Sequence, residues 1–95
     1  MKLIWSPEAR VDLREMVIYL ADKNPYAARA LYERIEIVAA KLIDTPYIGR
    51  PGRVPGTREL IIMNTPYILP YQIRSNSIEI LRVYHGARRW PKRFD

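Results

Sequence analysis

Apolar residues recur at helical spacing in two stretches of the first half of the chain and alternate along its second half. Ala9, Leu13, Met16, Val17 and Leu20 follow one another at steps of four, three, one and three. That is one face of an amphipathic helix. Glu8, Asp12, Arg14 and Glu15 fall largely off it. Ser6 can cap the free amides at its start, Pro7 suits the first helical position, and Glu8 opposes the helix dipole. The helix should end near Lys23, because Asn24-Pro25 is both a break and a new cap. Ala28, Leu31, Ile35, Val38 and Leu42 then mark a second buried stripe, with Arg29, Glu33, Arg34 and Glu36 on the other sides. Asp44-Thr45-Pro46 closes it. So short a connection at Asn24 forces the two helices into an antiparallel hairpin.

Strand-like segments flank this hairpin. Lys2 to Trp5 reads as a first strand. Residues 47–57 carry Gly49, Pro51, Gly52, Pro55 and Gly56 and read as a loop within the domain. Arg58 to Met63, Tyr67 to Arg74 and Ser77 to Tyr84 read as three further strands. Asn64-Thr65-Pro66 is the first turn between them, and Ser75-Asn76 is a two-residue hairpin turn. Pro70 cannot donate to a ladder, so it marks an edge position or a bulge. The order β-α-α-β-β-β predicts an α+β domain, with the helical hairpin packed on one face of a mainly antiparallel four-stranded sheet.

The faces of that sheet are not equivalent. Continuous alternation in the last strand points Ile78 and Ile80 one way and Leu81 and Val83 the other. In the strand before it, Tyr67, Leu69, Tyr71 and Ile73 share one side and Ile68 takes the other. Both faces are partly apolar, and a helical hairpin covers only one. Either the 47–57 loop and the C-terminal tail fold over the second face, or part of it stays open. The second alternative is favoured, and an exposed apolar patch on a small protein usually has a partner.

Composition narrows the partner. The chain has 95 residues, enough for one domain over 1–95, and a net charge of +6 from 16 basic and 10 acidic residues. Such a surface suits nucleic acid or an acidic protein, as well as simple solubility. There is no cysteine and one histidine, which leaves no disulfide and no donor set for zinc. No metal and no cofactor are expected. No apolar run could span a bilayer and no signal-peptide pattern opens the chain, so a cytoplasmic location is expected.

The chemistry-bearing residues gather at the end. Tyr84-His85-Gly86-Ala87-Arg88-Arg89-Trp90-Pro91 holds the sole histidine, two adjacent arginines and a tryptophan. With Ser6-Pro7-Glu8-Ala9, Asp12-Leu13, Thr45-Pro46, Gly49-Arg50-Pro51-Gly52, Pro55-Gly56-Thr57-Arg58-Glu59-Leu60 and Ile78-Glu79-Ile80-Leu81-Arg82-Val83, this ordered set resembles the RelE/ParE toxin superfamily across almost the whole chain. The start and the hairpin, with Ala28 to Tyr32, look closer to its ParE-like branch.

The resemblance implies a toxin of a bacterial type II toxin–antitoxin pair, neutralised by a bound cognate antitoxin. Its target is then DNA gyrase, as for ParE-like members, or mRNA on the ribosome, as for RelE-like endonucleases. A third reading is a non-toxic binding module derived from such a toxin. RNA cleavage needs a base, cations on the phosphorane and an acid. By position, Arg58 and Arg88 resemble the phosphate-stabilising arginines of the RelE-like branch, and His85 could be acid or base. The lysines of that pattern are replaced by Arg50 and Arg53, which are poor bases, and its C-terminal tyrosine is missing. The gyrase reading is therefore favoured, without catalysis. Arg50, Arg53, Arg82, Arg88, Arg89 and Trp90 are the candidate residues for binding target or antitoxin.

Overall fold

The structure, a computed structural model, describes residues 1–94, so Asp95 of the expected domain lies outside the described residues. Strand β1 (Lys2–Trp5) leads into helix α1 (Pro7–Lys23) and helix α2 (Pro25–Ala40), which runs on into a 3-10 turn over Lys41–Ile43. Strands β2 (Arg50–Pro51), β3 (Arg58–Ile61), β4 (Tyr67–Ile73), β5 (Ser77–Ile80) and β6 (Tyr84–His85) follow. The fold is the expected α+β arrangement, two helices against a mostly antiparallel sheet. One short strand, β2, is added to the four expected, and β6 is split off from the last of them.

Capping sets the helix starts. The Ser6 hydroxyl accepts the Ala9 N–H at 3.0 Å, and the Asn24 side chain accepts the Ala27 N–H at 3.1 Å. Ser6 also donates its own hydroxyl to the Leu81 carbonyl at 2.8 Å, which ties the start of α1 to the end of β5.

The strands lie in the order β1-β5-β4-β3-β2, and β6 also pairs with β4. β1 runs parallel to β5, with Leu3 opposite Ile78 and Trp5 opposite Ile80. All other pairs are antiparallel. The first and last thirds of the chain thus meet at one edge of the sheet.

Pro70 sits in the central strand, not at an edge. β5 pairs with β4 at Tyr71–Ile73 and β6 pairs with it at Ile68–Tyr67. Pro70 falls in the gap between them, where its missing N–H breaks no ladder bond; its carbonyl still accepts the Leu81 N–H at 2.8 Å. Opposite it, Leu81–Val83 is irregular, so the strand expected over Ser77 to Tyr84 is two strands. The interruption inverts the alternation. Val83, expected opposite Ile80, joins the same core cluster as Ile78 and Ile80.

That core lies between the hairpin and one sheet face. Ile35, Ala39 and Leu42 meet Leu60, Ile62, Leu69, Tyr71, Ile78 and Ile80 there. The second face is not left bare. Pro70, Ile68 and Val54 are buried, so the 47–57 loop and the tail do fold over much of it. Part of it stays open at Ile4 and Ile61, and further hydrophobic exposure lies in the loops at Tyr47, Ile48 and Met63 and on the helices at Ile18, Tyr19, Tyr26 and Ile37. Among the described residues no helix is long and apolar enough to cross a membrane.

Candidate interaction site at the cationic tail

Two buried polar side chains fix the loop from beneath. The Tyr71 hydroxyl donates to the Pro46 carbonyl at 2.7 Å and accepts the Gly49 N–H at 2.9 Å. Gly49 is required there, because a Cβ would stand 2.6 Å from the Tyr71 ring and 2.9 Å from the Glu59 carbonyl oxygen. Glu59, only 2% exposed, accepts from Arg50 Nη2 at 2.8 Å, Arg53 Nε at 3.1 Å and the Arg53 backbone N–H at 2.8 Å. Burial pushes the Glu59 carboxyl up, but the N–H donors of Arg53 and Arg50 outweigh it, and the net pKa lies below its ordinary value.

The tail is built on Tyr84. Its ring is 2% exposed and meets Trp90 edge-on at 5.1 Å and Phe94 at 6.1 Å. The guanidinium groups of Arg82 and Arg88 lie over the Tyr84 ring, at 4.8 and 4.1 Å, and that of Arg53 lies 3.8 Å over the Trp90 ring. Arg82 is held from the other side. Its Nε and Nη2 donate to Asp12 of α1 at 2.7 and 2.9 Å, and Asp12 also accepts the Val83 N–H at 3.0 Å. The hydrogen bonds to Asp12 raise the Arg82 pKa further, so this group is a permanent cation.

These side chains border a cleft of about 880 Å³ on the second sheet face. Among the described residues its wall carries five guanidinium groups, Arg74, Arg82, Arg88, Arg89 and Arg93, against two carboxylates, Glu8 and Glu79. Arg82 is satisfied by Asp12 and Arg74 by Glu79. Arg88 donates only to the neighbouring Arg89 carbonyl, and both side chains are exposed. Arg88 and Arg89, beside Trp90, are therefore the positive groups most available to an outside anion.

The six candidate binding residues divide accordingly. Arg88, Arg89 and Trp90 line the cleft. Arg82 also lines it but is clamped to Asp12. Arg50 and Arg53 are engaged by Glu59.

Arg58, His85 and Arg88 do not converge. Arg58 lies opposite Tyr71 on one side of β4, and His85 opposite Tyr67 on the other. Four residues along a strand and two strand spacings separate their backbones by about 16 Å. The Arg58 guanidinium turns to the carbonyls of Gly49 and Tyr47, while Arg88 stacks on Tyr84. His85 Nδ1 accepts the Ala87 N–H at 3.1 Å. In the neutral ring the proton then sits on Nε2, which leaves a donor facing out and no free lone pair for a base. Tyr67, edge-on to His85 at 5.9 Å, has its phenol pKa raised by burial and so stays protonated. Among the described residues no group of three His, Cys, Asp or Glu side chains could hold a metal ion.

Asp12, Glu59, Tyr71 and Tyr84, which organise the site, were not among the candidate site residues expected from the sequence. Glu59 offered the clearest signal, a carboxylate inside an apolar strand with arginines six and nine residues upstream.

A second surface lies on the hairpin. Trp5, Leu13, Val17 and Ile18 line a groove of about 520 Å³ together with Arg10 and Arg14 of α1 and Tyr32 and Glu36 of α2.

A helical hairpin on a mostly antiparallel sheet, closed by a cationic aromatic tail, defines a RelE/ParE-type toxin fold. Residues 3–90 match the model of the ParE toxin of type II toxin–antitoxin systems, parDE, and the chain belongs to that family. It is 38% identical over 91 residues to Y4kP of Sinorhizobium fredii, a candidate toxin, covering 96% of this chain and 94% of the relative. It is 29% identical over 87 residues to the toxin RelE2 of Caulobacter vibrioides, covering 92% of this chain and 97% of that one. A solved chain of the chromosomal ParDE toxin–antitoxin system of P. aeruginosa superposes with a TM-score of 0.82 at 27% identity, over 90% of this chain and 95% of that one.

Proposed function

We propose that this toxin arrests growth by gripping DNA gyrase, in the manner of ParE-like poisons, and that a cognate antitoxin neutralises it by direct binding. The observation that carries the reading is the tail. Arg88, Arg89 and Trp90 stand together at the rim of a positively charged cleft, and Arg and Trp are the residue types that dominate protein–protein contacts. Membership of the ParE family and likeness to a ParDE chain support the same reading. The separation of Arg58, His85 and Arg88 favours binding over catalysis. The antitoxin is expected to lay an amphipathic helix on the hairpin and an acidic stretch along the Arg-rich end.

The second reading is ribosome-dependent cleavage of mRNA. It draws on the likeness to a relative named RelE2 and on the exposed ring of His85. Induction in cells separates the two. The first expects loss of supercoiling by purified gyrase, intact mRNA, and a mild effect of His85→Ala. Codon-phased mRNA cuts that vanish in His85→Ala, with supercoiling untouched, would establish the second and remove the first.

A further inference from the structure

We propose that Glu59 is a positioning residue for the cationic tail: through Arg53 it fixes the Trp90 ring, and with it the orientation in which Arg88 and Arg89 meet a partner. This rests on the reading of the tail as the contact surface.

Glu59 itself is out of a partner's reach, since it is 2% exposed. No direct contact joins it to the tail. The link is the Arg53 guanidinium, which uses its edge and its face at once. The edge donates to Glu59 through Nε at 3.1 Å and Nη2 at 3.3 Å, and the face lies 3.8 Å from the centre of the Trp90 ring. Only a planar, delocalised cation can do both; a lysine ammonium can pair with the carboxylate but cannot stack in the same way.

The indole needs such a hold. Trp90 Nε1 is buried and has no hydrogen-bond partner among the described residues. An unsatisfied N–H opposes burial, so contacts with the ring must keep it in place. Those contacts include the Arg53 face and the T-shaped approach of the Tyr84 ring. Arg88 and Arg89 immediately precede Trp90, between the turn closed by the Arg88 N–H to the His85 carbonyl at 3.1 Å and the anchored ring. Releasing the ring frees Arg89 and leaves Arg88 held by its stack on Tyr84 alone.

The same carboxylate supplies its own control. Arg50 pairs with Glu59 at 2.8 Å but its described contacts do not include Trp90. If Glu59 merely stabilises the loop, losing Arg50 and losing Arg53 act alike. If it positions the tail, only the Arg53 branch moves Trp90.

The test uses the full chain in a Trp5→Phe background, so that Trp90 is the one tryptophan. Emission maximum and acrylamide quenching report its environment, circular dichroism and Tm report folding, and supercoiling by purified gyrase reports partner engagement. Glu59→Gln and Arg53→Lys are expected to red-shift Trp90, increase its quenching and weaken gyrase inhibition by about thirtyfold, the scale of one contact hot spot. Arg50→Ala is expected to lower Tm and leave Trp90 emission in place. Unchanged Trp90 emission in Arg53→Lys, or an equal shift in Arg50→Ala, overturns the proposal. Arg53 is substantially exposed, so Arg53→Lys tests the stacking half of the link even where Glu59→Gln does not fold. Glu59→Asp, which keeps the charge but shortens the reach to Arg53, then decides the role of Glu59. Wild-type protein that leaves supercoiling untouched would sink the gyrase reading, while the Trp90 measurements still decide the role of Glu59.

Discussion

Tyr71 has no exposed surface, yet its hydroxyl reaches two backbone groups of the loop. Tyr71→Phe keeps the ring and strands the Pro46 carbonyl and the Gly49 N–H. The buried Gly49 N–H costs about 1–3 kcal/mol when stranded and the partly buried Pro46 carbonyl less, so urea denaturation is expected to show a loss of about 2–4 kcal/mol with no change in secondary structure. Arg82→Ala removes a bidentate pair and leaves the Asp12 carboxylate with the Val83 N–H alone. Hydrogen bonds to charged groups are worth about 1.5–3 kcal/mol when shielded and less at a partly exposed site, so a loss of about 1–2 kcal/mol is expected. Its signature is a lowered Tm rather than a change confined to partner affinity. Glu59 carries a pH dependence. Its folded pKa lies below the ordinary 4.5, so the stability it adds is full above 4.5 and is lost as pH falls through the lowered value. Melting curves across the acid range should therefore fall more steeply for the wild type than for Glu59→Gln; parallel curves would show that the ion cluster adds nothing.

Among the elements, the helices announce themselves. Ser6-Pro7 and Asn24-Pro25 place both caps where the structure has them, because a cap acts within three residues of itself. Ser6→Ala is expected to cost about 1–2 kcal/mol by the same measurement, at the upper end of N-cap losses, since Ser6 also donates to Leu81. The strands were harder to read. Leu81, Arg82 and Val83 continue the alternation in sequence, and the irregular stretch there answers to Pro70 on the neighbouring strand, a contact that local pattern cannot contain. The parallel pairing of β1 with β5 and the Asp12–Arg82 clamp join positions some 70 residues apart. The tail was legible as a cationic aromatic cluster. That Arg50, Arg53 and Arg82 would be occupied internally was not, because their carboxylates read as ordinary strand and helix charges.

At the scale of the molecule, the two faces of the fold offer different chemistry, an apolar groove on the hairpin and a cationic cleft at the tail. An antitoxin that binds only the folded chain raises its apparent stability by about 2.7 kcal/mol when its free concentration is a hundred times Kd. Thermal shifts should grow with antitoxin concentration and be blunted by Ile18→Glu in the groove, while that variant remains toxic. Loss of toxicity together with loss of antitoxin binding would mean that the groove also serves the target.

The sheet order has one more consequence, for the chain as it is made. β1 emerges before the other described elements, but its hydrogen-bonding neighbour, β5, comes after both helices and three more strands. Until Ser77–Ile80 arrives, the first strand has nothing to pair with and the hairpin has only part of its platform. Non-local pairing of this kind is slow to form. A polypeptide halted before Ser77 would carry both helices and most of the arginines, yet lack the strand that joins its beginning to its end. Completion of the fold is thereby deferred until Ser77–Ile80 has been made, which leaves time for a partner made alongside to be waiting.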